Sequence, residues 1–307
     1  MSLIIAFGNP VYDEIITPCI RTDGRVLSGC STNACLALTR LGHQTALVGR
    51  VGADYYARFC ADLQHYGITA YATPSDQTGG FRLIYDERGD RTLDVLGLAP
   101  PITEVPACCH DAAAVIVGPI LQETPVSLIE QLAAVTTAPI LLDPQGLLRE
   151  IGEDGRIEHR VTADFARAAR HCTVIKANEV ETYVLTGLDP RANGSAAVRA
   201  LRELGCQIAI VTLAEAGSWI DNGERQWRIP AYTTEARDPT GAGDTYLAGF
   251  LHAYLQDQTD LYRAGCVGAA TASIWIEHTG PDAPISLAEV ERRTSLLLSC
   301  DPDAILD

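Results

Sequence analysis

This sequence has no run of lysine or arginine and no long run of apolar residues. Its 307 residues carry 23 Lys and Arg against 39 Asp and Glu, a formal net charge of −16. An acidic chain without a local basic cluster repels phosphate backbones and anionic lipid alike, which argues against nucleic acid and membrane surfaces as partners. The longest apolar stretches, such as Ala112 to Val117 and Ile208 to Val211, are strand-sized and well short of a bilayer span. No basic region precedes the short apolar run at the start, so it does not read as a signal peptide, and a cytoplasmic location is expected. The ten cysteines form no CxxC pair and no Cys/His set with zinc spacing. Reduced thiols, mostly buried, and no structural metal are therefore expected, with Cys30, Cys35, Cys60, Cys172, Cys206 and Cys266 in apolar or helical contexts.

A hydrophobic fraction of 47% spread along the whole chain is enough for a sizeable core. Short β-rich runs alternate with helical patterns, which predicts βαβ units around a mainly parallel sheet. Leu3 to Phe7, Thr45 to Val48, Val115 to Val117, Ile140 to Leu142, Thr173 to Ile175 and Ile208 to Thr212 read as strands. Ser31 to Leu41, Asp54 to Tyr66 and Pro125 to Val135 read as helices, with Gly42 a stop for the first. Two segments break the alternation, about 11–28 and 70–98. In the second, Gly79 to Tyr85 and Arg91 to Val95 flank a charged turn, Asp86 to Asp90, as a hairpin would. The economical organisation is one domain over 1–307 with these segments inserted as a small β-sheet lid. Open edges of such strands make a homodimer through the lid a possible arrangement.

The sharpest motif is Arg237-Asp238-Pro239-Thr240-Gly241-Ala242-Gly243-Asp244-Thr245, set just before a long apolar helix. Two glycines at a helix N-terminus leave backbone amides bare where the dipole favours an anion. An acid at that same place opposes a bound phosphate unless it takes a proton from a hydroxyl attacking that phosphate. The plainer alternative is a Gly-rich turn capped by Asp244. A dinucleotide fingerprint does not fit, because the third glycine is missing, and there is no Walker A lysine.

This stretch resembles the second signature of the ribokinase/PfkB family of carbohydrate kinases, with Pro239 where the family has threonine. The resemblance runs over nearly the whole chain, through Ser28-Gly29-Cys30-Ser31-Thr32-Asn33, Leu41-Gly42 and Val48 to Asp54. It implies a three-layer α/β/α fold and an ATP- and magnesium-dependent kinase acting on a sugar, polyol or nucleoside. By resemblance Asp244 is the general base, and Gly241, Ala242 and Gly243 form the anion hole. Asp13, Gly29 and Asn33 bind substrate, although Asp13 on its own reads as a solvated turn residue. Thr212 and Gly217 belong to the nucleotide loop, where Ala214 replaces a usual glycine, and small residues in Ala264 to Ala270 either admit a flat base or pack helices. Asn178 and Glu181 match the Asn-x-x-Glu motif that organises magnesium through water; by themselves they also spell a helix cap. Asp238 and Thr240 map onto a monovalent-cation site, typically potassium. Ser28, Val11 and Ala214 depart from the family pattern and leave open a catalytically weak, ligand-sensing protein. The arginines Arg82, Arg88 and Arg91 fit a phosphate on the substrate or simple solvation, and His110, His252 and His278 have no catalytic spacing.

Overall fold

The structure, a computed structural model, describes residues 2–86, 91–153 and 156–299. Strand β1 (Leu3–Phe7) leads into β2 (Val11–Ile16) and β3 (Val26–Ser28), and α1 (Cys30–Arg40) returns to β4 (Gln44–Gly52). Helix α2 (Tyr56–Tyr66) precedes β5 (Ile68–Ser75), after which β6 (Gly80–Tyr85) and β7 (Arg91–Gly97) run antiparallel. Next come β8 (Ala114–Val117), α3 (Val126–Val135) and β9 (Ile140–Leu142), then a small ribbon of β10 (Arg149–Ile151) and β11 (Ile157–His159), and α4 (Phe165–Ala169). The second half holds β12 (Val174–Asn178), α5 (Glu179–Thr186), α6 (Gly194–Glu203), β13 (Ile208–Thr212), β14 (Ser218–Asp221) and β15 (Gln226–Ile229). It ends in three helices, α7 (Ala242–Tyr254), α8 (Leu261–Trp275) and α9 (Leu287–Leu298).

Among the described residues nine strands form the main sheet in the order β15-β14-β13-β12-β9-β8-β1-β4-β5, with only β14 running against the rest. Both faces are covered, so the central strands are apolar throughout rather than alternating. On one face Leu36, Leu38, Leu47, Ile116, Leu247 and Phe250 join the sheet to α1 and α7. On the other, Phe7, Val115, Leu128, Ile129, Leu142 and Leu201 join it to α3 and α6. This is the three-layer α/β/α architecture expected. Strand β4 runs past the predicted end at Val48, because Gly49 lets it pass close to Gly8 and Pro10, where a Cβ would stand 2.8 Å from the Gly8 carbonyl oxygen.

The inserted part of the second segment is narrower than 70–98. Residues Ala70 to Ser75 belong to β5, which pairs in parallel with β4 and forms an edge of the main sheet. An edge strand with one side in water has a weak apolar signal and tolerates Pro74, so it looks like the start of an insertion. The small sheet itself has the order β3-β2-β6-β7. Val11, Ile15, Phe81, Leu83 and Tyr85 form its inner face, packed on Cys30 and Ile120 of the main body. Its other face carries Glu14, which accepts from Arg82 at 2.8 Å and lies 3.9 Å from Arg25. Arg82 is thus occupied by a carboxylate of its own sheet. The charged turn at 87–90, with Arg88, lies outside the described residues, as does the side chain of Arg91.

The cysteines of the described residues are free thiols, with Cys30, Cys35, Cys109, Cys172, Cys206 and Cys266 buried. No described helix is long and apolar enough to cross a membrane. His110 and His278 are exposed, whereas His252 is buried and its Nδ1 lies 2.9 Å from Nε2 of His43.

Candidate active site

The parallel strands β1, β9, β12 and β13 end on one edge of the sheet, where α/β folds place their ligands. Gly8 and Asn9 follow β1, Asp143 follows β9, Asn178 ends β12 and Thr212 ends β13 beside it, the last two being register partners. Helices α1 and α7 bring Asn33 and Asp244 to the same edge. Nδ2 of Asn33 donates to Oδ2 of Asp244 at 2.9 Å, and both residues are buried. Asp244 therefore does not cap its own helix. The N-cap is Gly241, in the left-handed region at φ 82°, and no side chain caps the turn.

Both glycines of the motif are required by space. A Cβ on Gly241 would lie 2.8 Å from Asn33 Nδ2 and 2.8 Å from Trp275 Nε1, and one on Gly243 would lie 2.5 Å from the ammonium of Lys176. The Ala242 amide donates to the Pro239 carbonyl at 3.1 Å, so it is used within the loop. Gly243 and Asp244 stand in the first turn, where N–H groups lack helical acceptors.

Lys176 was not expected from the sequence. It lies on β12, is 3% exposed, and its Nζ is 2.5 Å from Oδ2 of Asp143, itself 1% exposed. The ligand atoms of Cys30, Asp143 and Asp244 all fall within 4.8 Å of one another. Burial alone pulls the lysine down, but the charges of Asp143, Glu181 and Asp244 outweigh it and hold the ammonium above its ordinary range. Burial and then the Asp143 charge raise the Asp244 carboxyl, while Lys176, Asn33 and Cys30 oppose the rise. Burial likewise raises the Cys30 thiol, with Asp143 and Asp244 adding to it. The signal that could have found this pair was a lysine inside an apolar strand and an aspartate directly after another one.

Asn178 and Glu181 form a complete capping box. Asn178 Oδ1 accepts from the Glu181 amide at 2.9 Å, and the Glu181 carboxylate accepts from the Asn178 amide and from Nδ2, each at 2.8 Å. Glu181 is 2% exposed, and burial followed by Asp143 raises its carboxyl against the pull of Lys176 and Arg149. Arg149 is also buried, its Nη1 3.4 Å from the Ile120 carbonyl. The capping role is thus real, and it fixes Glu181 beside the charged cluster. Asp143 and Asp244, with ligand oxygens within 4.8 Å of each other, present hard oxygen donors of the kind magnesium takes, and the Glu181 charge acts on the same cluster.

Asp13 is not a solvated turn residue: it lies in β2, is 4% exposed, and its Oδ1 accepts from the Phe81 amide at 2.8 Å. Gly29 caps α1 at φ 117°, and Ser28 is buried next to it. Gly217 sits at φ 84°, and Ala214 takes φ 48°, a left-handed conformation where a glycine is at ease. Arg191 ties this loop to α5 by pairing with Glu215 at 2.8 Å and Glu179 at 2.7 Å. The small residues of α8 allow close packing on both sheet and helix: a Cβ on Gly265 would meet Ile220 of β14 and Ile229 of β15, and one on Gly268 would meet Tyr246 of α7. At the pair mapped onto a monovalent-cation site, Asp238 Oδ1 accepts from the Thr240 amide at 2.9 Å and Thr240 Oγ1 lies 2.9 Å from the Tyr85 hydroxyl.

A buried aspartate beside a two-glycine helix start, at the ends of parallel strands, fits a phosphotransferase acting on alcohol groups. The pfkB family of carbohydrate kinases matches residues 9–288, and the chain belongs to that family. It is 28% identical over 251 residues to a protein of Archaeoglobus fulgidus described as an uncharacterized sugar kinase, covering 80% of this chain and 96% of that one. It is 25% identical over 309 residues to a nucleoside kinase of Methanothermobacter thermautotrophicus, covering 92% of each. Among solved structures, a pyrophosphate-dependent kinase in the ribokinase family superposes with a TM-score of 0.80 at 21% identity, over 94% of this chain and 99% of that one. The ribokinase of Thermotoga maritima does so at 0.75 and 17% identity, over 96% and 100%.

Proposed function

We propose that this protein transfers the terminal phosphoryl group of ATP to a hydroxyl of a small sugar, polyol or nucleoside, with Asp244 as the base. The observation that carries the reading is Asp244 held by Asn33 beside a two-glycine helix start, with the Lys176 ammonium packed against the second glycine. Asp13 and Asn33 orient the acceptor, with Ser28 and Gly29 at its edge. Asp244 takes the proton of the attacking hydroxyl as the new P–O bond forms and the bond to the leaving diphosphate breaks; the proton then passes to solvent. Burial raises the affinity of Asp244 for that proton, which suits a base working on an alcohol. The amides of Gly243 and Asp244 and the Lys176 charge stabilise the transferring phosphoryl group in a site where little water screens them.

Asn178 and Glu181 would hold magnesium, and Thr212 and Gly217 would border the nucleotide. When bound, that ion neutralises charge on the donor phosphates. The small sheet acts as a lid that excludes water from the transfer. Relatives described as nucleoside, cytidine and sugar kinases support the acceptor classes. The test is ADP release with magnesium and ATP across sugars, polyols and nucleosides, with Asp244→Asn alongside. Turnover on one compound that falls by about 10²–10⁴-fold in the variant supports the base. Binding of ATP and acceptor without any turnover overturns catalysis in favour of ligand sensing.

A further inference from the structure

We propose that Tyr85 is a positioning residue for the transfer: from the small sheet, it fixes Thr240 and through it the anion-binding turn. The inference rests on the phosphotransferase reading above. Every polar group of Thr240 is held. Its amide donates to Asp238 Oδ1 at 2.9 Å, its carbonyl accepts from Trp275 Nε1 at 2.7 Å, and its hydroxyl lies 2.9 Å from that of Tyr85. Asp238 and Trp275 belong to the main body, so among the described residues only the Tyr85 contact crosses from the small sheet. Thr240 immediately precedes Gly241, whose left-handed φ of 82° turns the chain into α7. The orientation of Thr240 therefore sets where the amides of the first turn point.

The same strand reaches the acceptor side. On β6, the Phe81 amide donates to Asp13 Oδ1 at 2.8 Å, four residues from Tyr85. One strand in one register thus holds the acid proposed for the acceptor and the loop proposed for the phosphate. Phe81, Leu83 and Tyr85 point to the same side, buried against Cys30 and Ile120. Between the small sheet and the turn, Ile15, Leu27 and Ser28 face Asn33, Thr240 and Trp275 across a cavity of about 10 Å³. Such a space is at the limit for a single water. Strands β2 and β3 thus leave little room for water beside Thr240, and the Tyr85 hydroxyl on β6 is the polar link from the same sheet to the anion-binding turn.

Tyr85→Phe removes one oxygen and leaves the ring in its apolar packing. Hydrogen exchange on the ligand-free full chain should speed up in this variant at the amides of Ala242 and Thr245, which donate to the Pro239 and Gly241 carbonyls, with β8 and β12 unchanged. Thr240→Val should produce the same effect, and the double variant no more than either alone. With the acceptor identified, Tyr85→Phe should lower kcat by about 3- to 10-fold, the worth of one hydrogen bond. The acceptor KM should stay near its original value, and ATP hydrolysis per transfer should rise. A purely structural tyrosine would loosen β6 without touching the amides of that turn. Unchanged exchange in that turn, or additive effects of the two substitutions, overturns the proposal. Absence of turnover in the unmodified protein overturns the kinase reading instead, while the exchange result still decides the link.

Discussion

Asn33 and Asp244 lie 211 residues apart in sequence and 2.9 Å apart in space, one on α1 and the other on α7. The contact orients the carboxylate and favours its ionised form, against the burial that raises it. Asn33→Ala removes that help. The acid limb of the pH profile of kcat/KM should move to higher pH, because Asp244 then protonates more readily. Turnover above the limb should fall by about 10- to 100-fold, as for loss of a hydrogen bond to a charged group. An acid limb that stays in place would separate Asn33 from the base.

Lys176 and Asp143 are a buried ion pair, and losing one partner strands the other. Lys176→Met should cost about 3–5 kcal/mol of stability by chemical denaturation. Adding Asp143→Asn removes the stranded charge and should return much of that stability. Turnover should remain low in the double variant, since the positive charge against Gly243 is still gone. Recovery of both stability and turnover would confine the lysine to a structural role.

Ala214 pays for a left-handed conformation that glycine adopts freely. Ala214→Gly should raise stability by about 0.5–1 kcal/mol, the strain relieved exceeding the entropy that glycine adds to the unfolded chain. A loss of stability would mean that the methyl group contributes packing.

Burial first, and then His252, hold His43 down to about 4 in the folded chain, whereas an unfolded histidine titrates near 6.5. Between those values the unfolded chain takes up a proton that the folded one refuses, so stability declines as pH falls through this window. His252 is lowered by burial as well; Glu291 pulls it up and Arg263 pushes it down. Thermal unfolding at pH 7 and pH 4.5 should show a smaller acid loss in His43→Gln than in the unmodified protein. Equal losses would place the acid sensitivity elsewhere.

Much of the fold was legible because central strands buried on both faces are apolar throughout, as in Ile140 to Leu142 and Ile208 to Val211. The edge strand β5 was not, since half of it faces water. The glycine-and-aspartate turn was legible for a related reason: it needs residue types that little else can replace. Lys176 and Asp143 were missed, because each becomes meaningful only beside the other, and they come from different strands.

The sequence by itself determined the alternation of strands and helices, the glycine turn at the start of α7 and the capping pair Asn178 and Glu181. These depend on neighbours a few residues away, where propensity and backbone geometry act. Tertiary structure alone decided that Asp13 is buried in a strand, that Lys176 faces three acids, and that Tyr85 reaches Thr240 across 155 residues. Burial and charge depend on what the folded chain brings within a few ångströms, and no local pattern carries that information.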